Sequence, residues 1–214
     1  MNARVVISMN IEIERAYIAG DIDATRAKIA EAGFVLARKE SQMNLYLDHS
    51  FLHLIENKKY IRVRWIDGWS NAEITFSHPA VINSLEIRPQ HSIHKKTRRS
   101  TENVLNVLKG LGFYEALIIE KERELFTIDR SIPAVGIVHV ELDSGITIHS
   151  RNIDDIPRAK HHDVRIEDTV QVCIEFDSNG SAAAAAGIDR VAGEIGLSVA
   201  NITTKNYFDR YFEA

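Results

Sequence analysis

Ile11-Glu12-Ile13-Glu14-Arg15 is the stretch on which the reading of the chain turns. It alternates apolar and charged side chains. As a β-strand it puts Glu12 and Glu14 on one face and the two isoleucines on the other. Like charges repel on one strand face, and a divalent cation with oxygen ligands offsets that repulsion. A half-exposed strand with a polar outer face gives the same pattern, so the choice rests on the other strands.

The alternation returns along the chain. Val5 to Ala19 reads as the strand that carries Glu12 and Glu14. Tyr60 to Ile66 separates Ile61, Val63 and Trp65 from Arg62 and Arg64. Asp67-Gly68 is a hairpin signal into a return strand from Ala72 to Ser77, limited by Pro79. Ser84 to Arg88 pairs Glu86 with Arg88 on one face, and Leu117 to Ile128 pairs Lys121 with Arg123. Gly136 to Leu142 carries His139 and Glu141, and Thr169 to Phe176 carries Gln171, Cys173 and Glu175 opposite four apolar residues. Helices are expected over Asp21 to Ala32, Thr101 to Leu111 and Ala182 to Ile195. Leu36 to Glu40 and Asn44 to Asp48 read as two extended segments or one bent one, and His49 to Asn57 as a short helix or turn. His91 to Arg99 reads as a basic connection, and Asn152 to Asp168 as a loop. Asp143-Ser144-Gly145 reads as a turn, with Ile146 to His149 pairing back across it.

This order of elements gives an α+β fold with a mostly antiparallel sheet, not the βαβ alternation of a parallel one. No repeat or composition break divides residues 1–214, so one domain is expected. A net charge of −4 argues against a dedicated nucleic-acid binder. The single cysteine, Cys173, excludes an internal disulfide and a cysteine-based zinc cluster, and fits a cytoplasmic protein. The start lacks a signal-peptide pattern and no apolar run suits a membrane span. Phosphate-loop, dinucleotide-binding, zinc-protease and serine-elbow motifs are absent.

The polar strand faces carry pairs of charged residues, several of one sign, rather than a mixture of serine, threonine and glutamine. Closing such a sheet into a barrel would face acidic and basic walls into one lumen. The acidic wall would suit Mg²⁺ or Mn²⁺, and the basic wall phosphate oxygens.

A succession of motifs then resembles the CYTH superfamily, the triphosphate tunnel metalloenzymes. Glu12-Ile13-Glu14-Arg15 resembles its opening E-x-E-x-K. Tyr46-Leu47-Asp48 and Ile61-Arg62-Val63-Arg64 resemble its Tyr-Phe-Asp and L-R-x-R, and Ile74-Thr75-Phe76 its L-T-x-K. Lys121-Glu122-Arg123 is similar to K-x-R, and Val140-Glu141-Leu142-Asp143 to a strand ending in aspartate. Cys173-Ile174-Glu175 stands at a second E-x-E, and Thr204-Lys205-Asn206-Tyr207 at Ser-Lys-Ser-Tyr. The resemblance implies an eight-stranded β-barrel, a tunnel with helices packed outside. It implies a metal-dependent phosphohydrolase acting on inorganic or organic triphosphates. Glu12 and Glu14 would be catalytic and, with Glu175 and Asp143, hold Mg²⁺ or Mn²⁺. Arg62, Arg64, Lys121, Arg123 and Lys205 would bind the phosphates. The chain departs from the pattern at Ala16, Ser77 and Cys173. A tunnel-fold protein that binds nucleotide or polyphosphate without turnover, a class IV-type adenylate cyclase, and a protein whose charged sheet face docks a partner are the alternatives. The expected partner is a small molecule containing a triphosphate; a homodimer is compatible with the sequence.

Overall fold

A computed structural model describes residues 8–49, 52–57, 59–68, 72–78, 80–82, 85–95, 97–128, 137–151, 162–176, 181–205 and 207–214; of these, 8–13, 80–82, 85–92, 95, 137, 174–176 and 181–185 are described by backbone alone. In chain order the elements are β1 (Ser8–Ile18), α1 (Ile22–Glu31), β2 (Val35–Asp48), α2 (His53–Glu56), β3 (Tyr60–Ile66), β4 (Ala72–Ser77), β5 (Ala80–Ile82), β6 (Leu85–Lys95), α3 (Arg98–Gly110), β7 (Tyr114–Thr127), β8 (Ile137–Ser150), β9 (Val164–Arg165), β10 (Thr169–Phe176), α4 (Ser181–Glu194), β11 (Ile202–Thr203) and α5 (Tyr207–Glu213). Val5, Pro79 and residues 152–161 of the expected loop lie outside the described residues.

The expected α+β class holds. One antiparallel sheet runs β11-β1-β10-β8-β7-β2-β3-β4-β6-β5, with β9 beside β8. Among the described residues it has eleven strands rather than eight. Three of them, β5, β9 and β11, are only two or three residues long. β1 pairs antiparallel with β10 on one side, Glu12 opposite Glu175, and with β6 on the other, Glu12 opposite Arg88.

Several expectations need correction. The basic stretch from His91 is not a connection: as far as Lys95 it continues β6, because its alternation carries on in register with β4. The helix then starts at Arg98, its first turn capped by the Thr97 hydroxyl, which accepts from the Ser100 N–H at 3.2 Å. Asp143-Ser144-Gly145 does not turn. β8 runs straight through it, with Gly145 at φ +61° and a bulge between Glu120 and Glu122 on the facing strand absorbing the irregularity. β2 is one long strand with irregularities near Leu36 and Tyr46.

Two apolar clusters cover one face of the sheet. Ile29 of α1 and Ile188, Val191 and Ile195 at α4 pack on Tyr17, Val140, Leu142, Val170 and Val172. Partly buried Val104, Leu105 and Leu108 of α3 pack on Leu45, Val63, Trp65 and Ile74. Burying such side chains contributes about 1.5–3 kcal/mol each before entropy is counted. The intervening residues of every long strand share the opposite, polar face.

One helix is not where the expectation of helices outside puts it. α5 lies on the polar face: Phe208 and Tyr211 pack among Tyr46, Tyr60, Leu117, Ile119, Ile146 and Ile148. Among the described residues no helix is long and apolar enough to cross a membrane.

Candidate functional site

The polar face assembles through strand register. β3 contributes Arg62 and Arg64, opposite Tyr46 and Asn44 of β2 and opposite Thr75 and Glu73 of β4. Arg123 of β7 lies opposite Glu40 of β2 and Asp143 of β8. Asp143 and Glu141 lie opposite Thr169 and Gln171 of β10, and Cys173 and Glu175 of β10 lie opposite Glu14 and Glu12 of β1. Directly opposed residues in an antiparallel pair point to the same face, so these groups share one surface. Glu14, Arg62, Lys121 and Arg123 are nearly inaccessible, at 2%, 5%, 5% and 6% exposure. A face this charged and this dry demands compensation within itself.

A tight set of ion pairs lies at β7 and β8. Fully buried Asp143 accepts from Lys121 Nζ at 2.5 Å, from Arg123 Nε and Nη2 at 2.6 and 2.7 Å, and from the Tyr207 hydroxyl at 2.6 Å. Arg123 also pairs with Glu141 and donates to Gln171 Oε1 at 3.1 Å. Burial works to raise the Asp143 carboxyl, but Arg123 and Lys121 hold it well below the usual carboxylate range. Lys121 is pushed down to about 7, by burial and by Arg123 beside it, against the pull of Asp143. Burial would raise Glu141 too, yet Arg123 and His139 bring it below its ordinary value.

At β3 the contacts are longer. Arg62 Nη2 stands 3.6 Å and Arg64 Nη1 3.9 Å from one carboxylate, Glu73. Arg64 Nε donates to Asn44 Oδ1 at 2.8 Å. Burial and the nearby Arg62 and Arg123 lower Arg64 from its ordinary value, which marks a strongly positive patch.

Glu12, Glu14, Glu86 and Glu175 meet at successive register positions where β6, β1 and β10 run side by side. The side chains of Glu12, Glu86 and Glu175 lie outside the described ones. The four positions form an all-oxygen donor set of the kind that fits a hard divalent cation, with Arg88 opposite Glu12 in the same register. Asp143 fits that part less well, because four N–H and O–H donors already occupy its two oxygens. Lys205 is not brought to this face. It stands 56% exposed at the surface, paired with Glu213.

Sequence reasoning gave no site role to Glu73, Asn44, Glu40 or to Tyr207, which it quoted only as part of a motif. Glu40, 3% exposed, pairs with Arg38 at 2.6 Å. The signal for α5 was present in Tyr207, Phe208, Tyr211 and Phe212, an aromatic stripe at helical spacing. Asp48, part of the Tyr-Leu-Asp motif, is a structural group: it is fully buried and accepts from the backbone N–H groups of Leu54 and Ile55 at 2.8 and 2.9 Å, tying β2 to α2.

A family model described as the CYTH domain matches residues 10–167. No curated protein matches the sequence. Among solved structures, a Vibrio parahaemolyticus protein described as a candidate adenylate cyclase is 14% identical with TM-score 0.69, covering 97% of this chain and 100% of its own. The PH1012 protein of Pyrococcus horikoshii is 18% identical with TM-score 0.66, covering 93% and 98%. HpAC1 from Hippeastrum, a candidate adenylyl cyclase described as having a dominant triphosphatase activity, is 12% identical with TM-score 0.60, covering 96% of each chain. At such identities the likeness is one of fold.

Proposed function

Since this chain belongs to the CYTH domain family, we propose that it is a metal-dependent phosphohydrolase acting on inorganic or organic triphosphates inside a charged β-tunnel. The pairing of β1 with both β10 and β6 supports a sheet closed on itself through β1, β10, β8, β7, β2, β3, β4 and β6. Closure turns the polar face into a lumen. The observation that carries the reading is electrostatic: Arg62, Arg64, Lys121 and Arg123, all buried or nearly so, share that face with the carboxylate positions of β1, β6 and β10. A buried cluster of four cations suits a polyanion, and the carboxylates suit its metal.

In this reading Glu12, Glu14 and Glu175 hold Mg²⁺ or Mn²⁺. The cation, when bound, supplies Lewis-acid polarisation of a phosphoryl oxygen and an attacking water of lowered pKa. Arg62 and Arg64 bind phosphate oxygens and stabilise charge developing on them. Lys121 and Arg123 do the same from β7, separated from β3 by β2 alone, their positions fixed by Asp143. Asp143 is thereby a positioning group rather than a metal ligand. The location is cytoplasmic and the partner a small molecule.

The departures at Ala16, Ser77 and Cys173 favour a second reading, a tunnel that binds a triphosphate or cyclises a nucleotide without hydrolysing it. Each replaces a charge of the family pattern with a neutral group, and Ser77 and Cys173 are fully buried. Phosphate release from tripolyphosphate, thiamine triphosphate and ATP, with and without Mn²⁺ or Mg²⁺, separates the two. Metal-dependent release lost in Glu12→Ala/Glu14→Ala supports hydrolysis. Absence of release with retained binding supports the second reading.

A further inference from the structure

On the face away from the charged one, β2, β3 and β7 supply Leu45, Trp65 and Ile118 as the buried, apolar floor of a recess. The first two turns of α3 form its wall through Thr101 and Leu105. Thr101 is buried where the stripe of the helix calls for a large apolar residue, and its short side chain leaves a cavity of about 110 Å³. An apolar cavity of this order takes a body about the size of a benzene ring rather than water. Charged groups ring the mouth. Arg98 Nε donates to Glu102 at 2.8 Å, and Lys109 pairs with Glu115 at 2.8 Å, so these charges cancel. Arg151 is different. Its backbone N–H donates to the Ala116 carbonyl at 3.0 Å, which fixes it beside the recess, but its guanidinium has no ion pair among the described residues.

We propose that this recess is a second ligand site, outside the charged face, and that it takes a small aromatic carboxylate. The ring lies against Trp65 under α3 and the carboxylate meets Arg151 at the mouth. Two cancelled ion pairs and one unmatched guanidinium leave a single positive charge above an apolar floor, and a monoanion with an apolar body complements both. Its carboxylate gains a charge-assisted, bidentate pair with Arg151, and its ring gains contact with the indole. An amine of the same shape meets Arg151 with like charge. A polyphosphate has no apolar body for the floor, so the site differs from the charged face in chemistry as well as in place, and it stands whether or not that face binds triphosphates.

The chain has two tryptophans, Trp65 and Trp69, so Trp69→Phe leaves Trp65 as the reporter. The test follows its emission while phenylacetate, phenylacetamide and phenethylamine are titrated into the full-length variant, with calorimetric titration of the wild type as a second readout. Phenylacetate is expected to bind saturably with Kd below about 1 mM, and the neutral amide and the amine at least about fivefold more weakly. Arg151→Met is expected to bring the acid to the level of the amide, and tripolyphosphate with Mn²⁺ to leave phenylacetate bound. Equal binding of acid and amide, or an acid preference that survives Arg151→Met, overturns the proposal. So does displacement by tripolyphosphate, which places the acid on the charged face, and so does the absence of saturable binding by either readout below about 10 mM.

Discussion

Lys121 and Arg123 of β7 meet Asp143 at 2.5–2.7 Å, whereas Arg62 and Arg64 of β3 share Glu73 at 3.6 and 3.9 Å. The residue types are the same and the burial is similar, but the two corners hold their charges differently. At β7 the ion pairs are charge-assisted hydrogen bonds sealed from water, so the cations and Asp143 depend on one another for the fold. At β3 the carboxylate is beyond hydrogen-bond range and 21% exposed, so its hold is a screened Coulomb attraction. The Glu73 pairs are longer than those of Asp143, so a polyanion competes with them on easier terms. The β7 corner is a scaffold first and a phosphate contact second.

The largest expected effect breaks the scaffold. Asp143→Ala leaves Lys121 without its carboxylate and Arg123 with Glu141 alone, and should cost about 3–5 kcal/mol in urea unfolding. Glu73→Gln, the matching change at β3, should cost about 1 kcal/mol or less. Equal losses would erase the distinction between the corners.

A smaller effect separates stability from affinity by pH. Lys121 has its folded value pushed down to about 7 from an ordinary 10.5. Between those values the unfolded chain binds more protons, so its contribution makes stability rise with pH. A polyanion needs the charged amine, so tripolyphosphate affinity should fall by up to about tenfold per unit above pH 7. Calorimetric titration across pH 6–9 reads this slope, and Lys121→Arg should flatten it. A slope of the same steepness in Lys121→Arg would assign it to another group.

The smallest effect is at the surface. Lys205→Ala removes only an exposed pair with Glu213 and should leave stability and triphosphate affinity unchanged in the same titrations. A loss of affinity would bring Lys205 into the site.

The cation and carboxylate strands were legible because a two-residue period puts Arg62 with Arg64 and Glu12 with Glu14 on one face whatever their partners are. The partners were not legible. Glu73 looks like any polar position of a short strand, and only register with β3 sets it between two arginines. Asp143-Ser144-Gly145 reads as a turn from local propensity, but the pairings of β8 with β7 and β10 keep the strand extended through it. Lys205 sits in a motif that suggested phosphate, yet where the chain leads after β11 is a tertiary matter, and it is Tyr207, two residues on, that reaches the charged face.

The most direct measurement is calorimetric titration of tripolyphosphate with Mn²⁺ into the wild type and Arg62→Met/Arg64→Met, with a thermal melt of each. Each lost charge-assisted contact is worth about 1.5–3 kcal/mol, so affinity should fall by roughly a hundredfold or more while the fold survives. Unchanged affinity in the folded double variant would contradict the account of this face as a triphosphate site.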